Sequence, residues 1–167
     1  MNQKELLILS QFRNNARENL TTTSRRISVP ISTLHDRLKK YEGTIIQRHT
    51  SILNFAELGY SLKIHMILKV NPTQKKAVKE FLKKHQRVNS VCSLSNDYDF
   101  LCEIILKDLF ELTQFSEALE QFHIIDKHEF YAVEDIKREG FLTDSTLLEI
   151  TPLLSSPNNK KKKNIYK

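Results

Sequence analysis

Residues 62–70 read LKIHMILKV, and this stretch decides how the rest of the chain is parsed. Leu62, Ile64, Met66, Leu68 and Val70 alternate with Lys63, His65, Ile67 and Lys69, the period of a strand with one buried face. Pro72 ends it. Residues 73–85 switch to helical spacing, with Ala77, Val78, Phe81 and Leu82 inward and Lys75, Lys76, Lys79, Lys83 and Lys84 outward as a solubilising face. A strand over 88–94 follows, then a tight turn through Asn96, Asp97, Tyr98 and Asp99, then an apolar strand over 100–106, which together predict a hairpin. Leu109, Leu112, Phe115, Leu119 and Phe122 form one helical stripe, and a strand over about 128–133 closes the series. The order βαββαβ predicts a ferredoxin-like domain with both helices on one face of the sheet.

That arrangement leaves the second sheet face without helices. If Phe100, Cys102 and Ile104 meet the helices, Leu101 and Ile105 point the other way, with Ile67 and Tyr131 beside them. An apolar face of this kind needs a cover. The candidates are a second copy of the chain, as in the symmetric homodimers common among soluble proteins, and the chain's own residues 134–154.

Working towards the amino terminus, Asn54 can cap a single turn over 55–58 that Gly59 ends, and this marks the boundary between two domains. Residues 4–14 read as a helix carrying Leu6, Ile8, Leu9 and Phe12. A short second helix over 20–27 is weakened by Thr21, Thr22, Thr23 and Ser24, so packing must hold it. Ser28, Val29 and Pro30 break the chain, and Pro30 is placed to open a third helix over 31–41. Ile31, Leu34, Leu38 and Tyr41 make its buried stripe, while Ser32, Thr33, Asp36, Lys39 and Lys40 fall opposite, flanked by His35 and Arg37. Short hydroxyls near a helix start with cations further along suit a helix in a DNA major groove, and they equally suit a solvated face. After Gly43, residues 44–53 are β-rich and predict a wing strand, with Arg48 and His49 either at a phosphate backbone or simply exposed.

Composition narrows the function. The 167 residues, 28% of them charged, contain no apolar run near the ~18 needed to span a bilayer, and no signal peptide follows Met1, so a cytoplasmic protein without membrane contact is expected. Cys92 and Cys102 are too few for a disulfide framework and lack zinc-site spacing. Three glycines argue against phosphate-cradling loops, and no cofactor or catalytic group is indicated. The formal net charge of +6 divides unevenly: +5 over 1–50, −4 over 51–149 and +5 over 150–167. A basic head on an acidic middle fits a nucleic-acid-binding module joined to a non-binding one, or an ordinary uneven surface.

A helix-turn-helix head with the third helix reading PISTLHDRLKKYE (30–42), a connecting TSILNFAELGY (50–60) and a βαββαβ module with NDYD (96–99) at its hairpin resembles the Lrp/AsnC feast/famine transcription regulators over about residues 4–142. The resemblance implies an α+β chain: a winged helix-turn-helix domain over 1–53 and a ferredoxin-like dimerisation and effector domain over 54–149; the basic tail over 150–167 falls outside it and is expected to be disordered. It implies a regulator, dimeric or higher, that binds double-stranded DNA through Ser32, Thr33 and Arg37 on the third helix with Lys39 and Lys40 nearby; His35 and Asp36 on the same helix and Arg48 after it join them as candidates from the exposed-face reading. It also implies an amino-acid effector near Asn96, Asp97, Tyr98 and Asp99, although those aspartates equally serve as turn formers. Ser28 and Asn96 stand where the family usually has glycine, and the run Lys160 to Lys163 has no counterpart. A sirohaem-decarboxylase-like enzyme and a sensor or scaffold that does not bind DNA share this architecture and stand as alternatives.

Overall fold

In the computed structural model, which describes residues 2–143, the alternation at 62–70 becomes β1 (Leu62–Lys69). It lies inside a four-stranded antiparallel sheet with β2 (Val88–Ser93), β3 (Phe100–Leu106) and β4 (Asp126–Tyr131), in the order β2-β3-β1-β4. Helices α4 (Lys75–Lys84) and α5 (Leu109–Glu120) connect the strands, completing the predicted ferredoxin-like order. Upstream are α1 (Gln3–Asn14), α2 (Leu20–Ile27) and α3 (Ile31–Tyr41). The chain forms two compact units, one running to Ser51 and including the described residues from Lys137 onward, the other Ile52–Ile136.

The sheet unit is organised by the parity of β1. Ile64, Met66 and Leu68 are fully buried with Phe100, Cys102 and Ile104 of β3, Val78 and Leu82 of α4, and Leu112, Phe115 and Leu119 of α5. Each such side chain contributes about 1.5–3 kcal/mol through burial. Burial also pushes the Cys102 thiol up to about 12, so it packs as a small hydrophobe. Ala77 departs from the sequence expectation: it is exposed, because the buried stripe of α4 runs through Val78 and Leu82.

Register fixes the opposite face. Ile67 pairs with Leu101 and His128, His65 with Glu103 and Phe130, and Lys63 with Ile105. The sequence pattern places Tyr131 here, but it pairs with Ile64 and therefore belongs to the helix side. β4 begins at Asp126, and its parity sends His128 and Phe130 to the open face instead. This face is consequently mixed, with apolar Ile67, Leu101 and Phe130 among His65, Glu103 and His128. Of its alternative cover, residues 144–154 lie outside the described residues. In the described part Asp135 meets Lys63 at 2.5 Å, while Ile136 is 91% exposed.

In the helical unit, Ile8, Leu9 and Phe12 of α1 pack with Leu34 and Tyr41 of α3, joined by Leu20, Ile27 and Leu38. α1 starts with a reciprocal capping box: Asn2 Oδ1 accepts from the Glu5 N–H and the Glu5 carboxylate accepts from the Asn2 N–H, each at 2.9 Å. Asn19 caps α2 by accepting from the Thr21 N–H at 2.8 Å, and Thr23 is fully buried with its hydroxyl donating to the Asn19 carbonyl. Packing thus holds this poor helix former, as expected. Ser28 ends α2 in the left-handed region at φ 53°.

Two expectations fail in this unit. Ile31 is 45% exposed and stands outside the buried stripe, which Leu34, Leu38 and Tyr41 complete without it. Residues 44–53 form no wing strand. Gly43 takes φ 73°, and the N–H groups of Thr44, Ile45 and Ile46 all turn back to the Tyr41 carbonyl. The segment therefore closes the end of α3, with a single bridge between Glu42 and Ile46, and its backbone groups are spent there instead of on a ladder. The basic tail 150–167 lies outside the described residues.

Candidate functional site

Three side chains of α3, Leu34, Leu38 and Tyr41, seat it on α1 and thereby determine what its other side presents. Ser32, Thr33, His35, Asp36, Lys39 and Lys40 are all exposed. His35 and Asp36 approach each other at 3.7 Å. Arg48 is exposed in the irregular segment after the helix.

Arg37 differs from these. Its guanidinium donates to Glu5 at 2.5 Å, and the Glu5 side chain is only 18% exposed. Glu5 is held below its ordinary pKa by the Asn2 backbone N–H and by Arg37, and the Tyr41 phenol beside them is raised by burial and by the Glu5 charge. Arg37 therefore ties α3 to the capped start of α1. Arg26 meets Glu18 at 2.5 Å and Arg13 meets Glu139. Lys4, Arg17, Arg25, Lys39, Lys40 and Arg48 contact no carboxylate among the described residues. Arg25, in the last turn of α2, is not a candidate on the sequence, where no pattern distinguishes it from Arg26.

The hairpin turn divides in the same way. Asn96, at φ 73°, and Asp97 are exposed. Asp99 is committed internally: one oxygen accepts from the Val70 N–H at 2.8 Å and the other meets Lys75 Nζ at 2.7 Å. The Lys75 hydrogen bond, then the Val70 N–H, hold Asp99 below its ordinary pKa. Tyr98 donates to Asp126 at 3.1 Å, and the same carboxylate oxygen lies 3.2 Å from His128 Nε2. Burial and the Asp126 hydrogen bond raise Tyr98, while the Tyr98 hydroxyl lowers Asp126. Neither Asp126 nor His128 is a candidate on the sequence, since both lie on a strand remote from the turn. Among the described residues no His, Cys, Asp and Glu cluster is arranged to hold a metal, and no helix is long and apolar enough to cross a membrane.

No family model matches the sequence. It is 28% identical over 113 residues, 67% of this chain and 75% of the relative, to the HTH-type transcriptional regulator FL11 of Pyrococcus abyssi. It is 27% identical over 137 residues to an uncharacterized HTH-type transcriptional regulator of Pyrococcus horikoshii, covering 80% of this chain and 86% of that one. Among solved structures, a Neisseria meningitidis transcriptional regulator in complex with L-Met superposes with a TM-score of 0.77 at 19% identity, covering 83% of this chain and 93% of that one. The corresponding values for LrpC of B. subtilis are 0.75, 14%, 82% and 97%. For AsnC of E. coli they are 0.70, 14%, 83% and 95%.

The sequence likeness is thus to helix-turn-helix transcription regulators, and the outward-facing third helix is consistent with that class. The chain shares its fold with LrpC and AsnC.

Proposed function

We propose that α3 is the element that reads DNA. Ser32, Thr33, His35 and Asp36 reach base edges from the amino-terminal part of the helix, while Lys39, Lys40 and Arg48, with Arg25, meet phosphates. Arg37 acts through Glu5, fixing the pose of α3 on α1. The observation that carries this reading is the division of α3 itself: its apolar side is used up in the helical core, and its short polar side chains stand exposed without structural work. A homodimer formed across the open sheet face, where Ile67, Leu101 and Phe130 are gathered, supplies a second α3 and matches a partly palindromic site.

An amino acid is the candidate effector at the hairpin turn, and the methionine complex of the Neisseria protein supports the class. Asp99 already serves Val70 and Lys75, so an incoming ammonium group falls to Asp97, with Asn96 and Tyr98 at its side. The test is selection of bound fragments from genomic DNA, repeated with Ser32→Ala and Thr33→Ala. The reading expects an enriched motif whose preference relaxes in the variants, each abolished interaction with a base costing about 1–3 kcal/mol of discrimination. Fragments recovered without any common motif contradict it.

A further inference from the structure

A second concentration of unmatched positive charge lies on α4, in the unit whose net charge is negative. Lys75, Lys76, Lys79, Lys83 and Lys84 all line this helix, and all five are exposed. Lys75 is paired with Asp99, and the other four contact no carboxylate among the described residues. Elsewhere in this unit Lys63, Arg87 and Lys127 are matched, to Asp135, Glu111 and Glu129, while Lys69 and Lys107, well apart in the sequence, contact no carboxylate among the described residues. The unit thus has carboxylates to spare and still keeps four lysines unpaired on one helix, where Glu80 is the single acid.

Lys76, Lys79 and Lys83 recur at i, i+3 and i+7, within about 60° of the helix circumference and along about 10 Å of its axis. One strand of duplex DNA presents a phosphate for every ~3.4 Å of rise, and because the strand winds around the axis successive phosphates lie roughly twice that far apart, so a row of this length faces about two of them. Lysine suits such contacts because it is a flexible point charge that demands no fixed acceptor geometry. The acidic surface of a second copy is a poorer match: Glu117 and Glu120 of α5 are exposed, but they span only about 4.5 Å of helix. We infer that the lysine row of α4 is a second, sequence-independent contact to the DNA backbone. This inference rests on the proposal that the protein binds duplex DNA, and it adds a surface outside the helix-turn-helix.

The experiment measures affinity against salt concentration for the full chain on a short duplex carrying only the selected site and on the same site extended by flanking DNA. The triple variant Lys76→Gln, Lys79→Gln, Lys83→Gln is compared with the triple arginine variant, which keeps the charge. The glutamine variant should retain the site preference yet bind the extended duplex roughly tenfold more weakly, with a salt slope shallower by about 0.9 for each phosphate left unneutralised. The arginine variant should behave as the parent. An unchanged slope and affinity in the glutamine variant overturns the inference. So does a change in oligomeric mass at unchanged slope, which assigns the row to contacts between copies. If the unaltered protein binds neither duplex, the DNA reading itself falls, whereas binding that responds to α3 and ignores α4 removes this inference alone.

Discussion

Helix α3 and the hairpin turn at 96–99 are both short polar stretches, and the structure uses their side chains in opposite ways. On α3 most polar groups face outward, and only Arg37 is drawn inward to Glu5. At the turn Asp99 and Tyr98 are drawn inward, to Val70, Lys75 and Asp126, and only Asn96 and Asp97 are left exposed. A side chain already serving two internal partners has little capacity left for a ligand, since moving it leaves those partners unsatisfied. The contrast therefore makes α3 the better supported binding surface and reduces the turn to its two outward residues.

The contrast depends on α3 being rigidly seated. Leu34→Ala should cost about 2–5 kcal/mol, because Leu34 is fully buried where α3 meets α1. Denaturant unfolding would measure this, and a change near zero would show that α3 is not anchored as described. At the turn, Asp99→Asn should cost about 1–3 kcal/mol by weakening the Lys75 and Val70 interactions, with little effect on DNA affinity. The sign of its pH dependence follows from the lowered native pKa of Asp99. Its contribution is present above the unfolded carboxylate pKa and disappears as pH falls through the depressed native value. Acid titration of stability should consequently be flatter in the variant, and identical acid limbs would contradict the role given to this carboxylate. A smaller gain is expected from Ser28→Gly. A serine at φ 53° bears a steric cost that glycine avoids, so stability should rise by about 1 kcal/mol, measured as a higher denaturation midpoint, while DNA binding is unchanged.

Local periodicity accounts for what is legible in the sequence. The alternation of Leu62 to Val70 sets the parity of the sheet, and the apolar spacing through Leu34, Leu38 and Tyr41 bounds α3, because both signals act between residues close in the chain. The wing fails because β-rich composition at Ile45 and Ile46 does not reveal that their N–H groups close onto Tyr41. Ile31 fails because helical spacing gives the angle of a residue but not how far its neighbours extend to cover it. The partners that sort the candidate residues are hidden by separation: Glu5 is 32 residues from Arg37, Asp99 is 29 from Val70 and Asp126 is 28 from Tyr98. No spacing rule joins such pairs before the chain is folded.

The most direct test of α3 as the gripping element is the dependence of DNA affinity on salt in the unaltered protein and in the double variant Lys39→Ala, Lys40→Ala. Both lysines are exposed, so folding stability should stay within about 0.5 kcal/mol. The logarithm of affinity should fall linearly with the logarithm of salt concentration, and the variant's line should be shallower by about 0.9 for each phosphate it no longer neutralises. Two superimposable lines, or no salt dependence in either protein, would contradict the account.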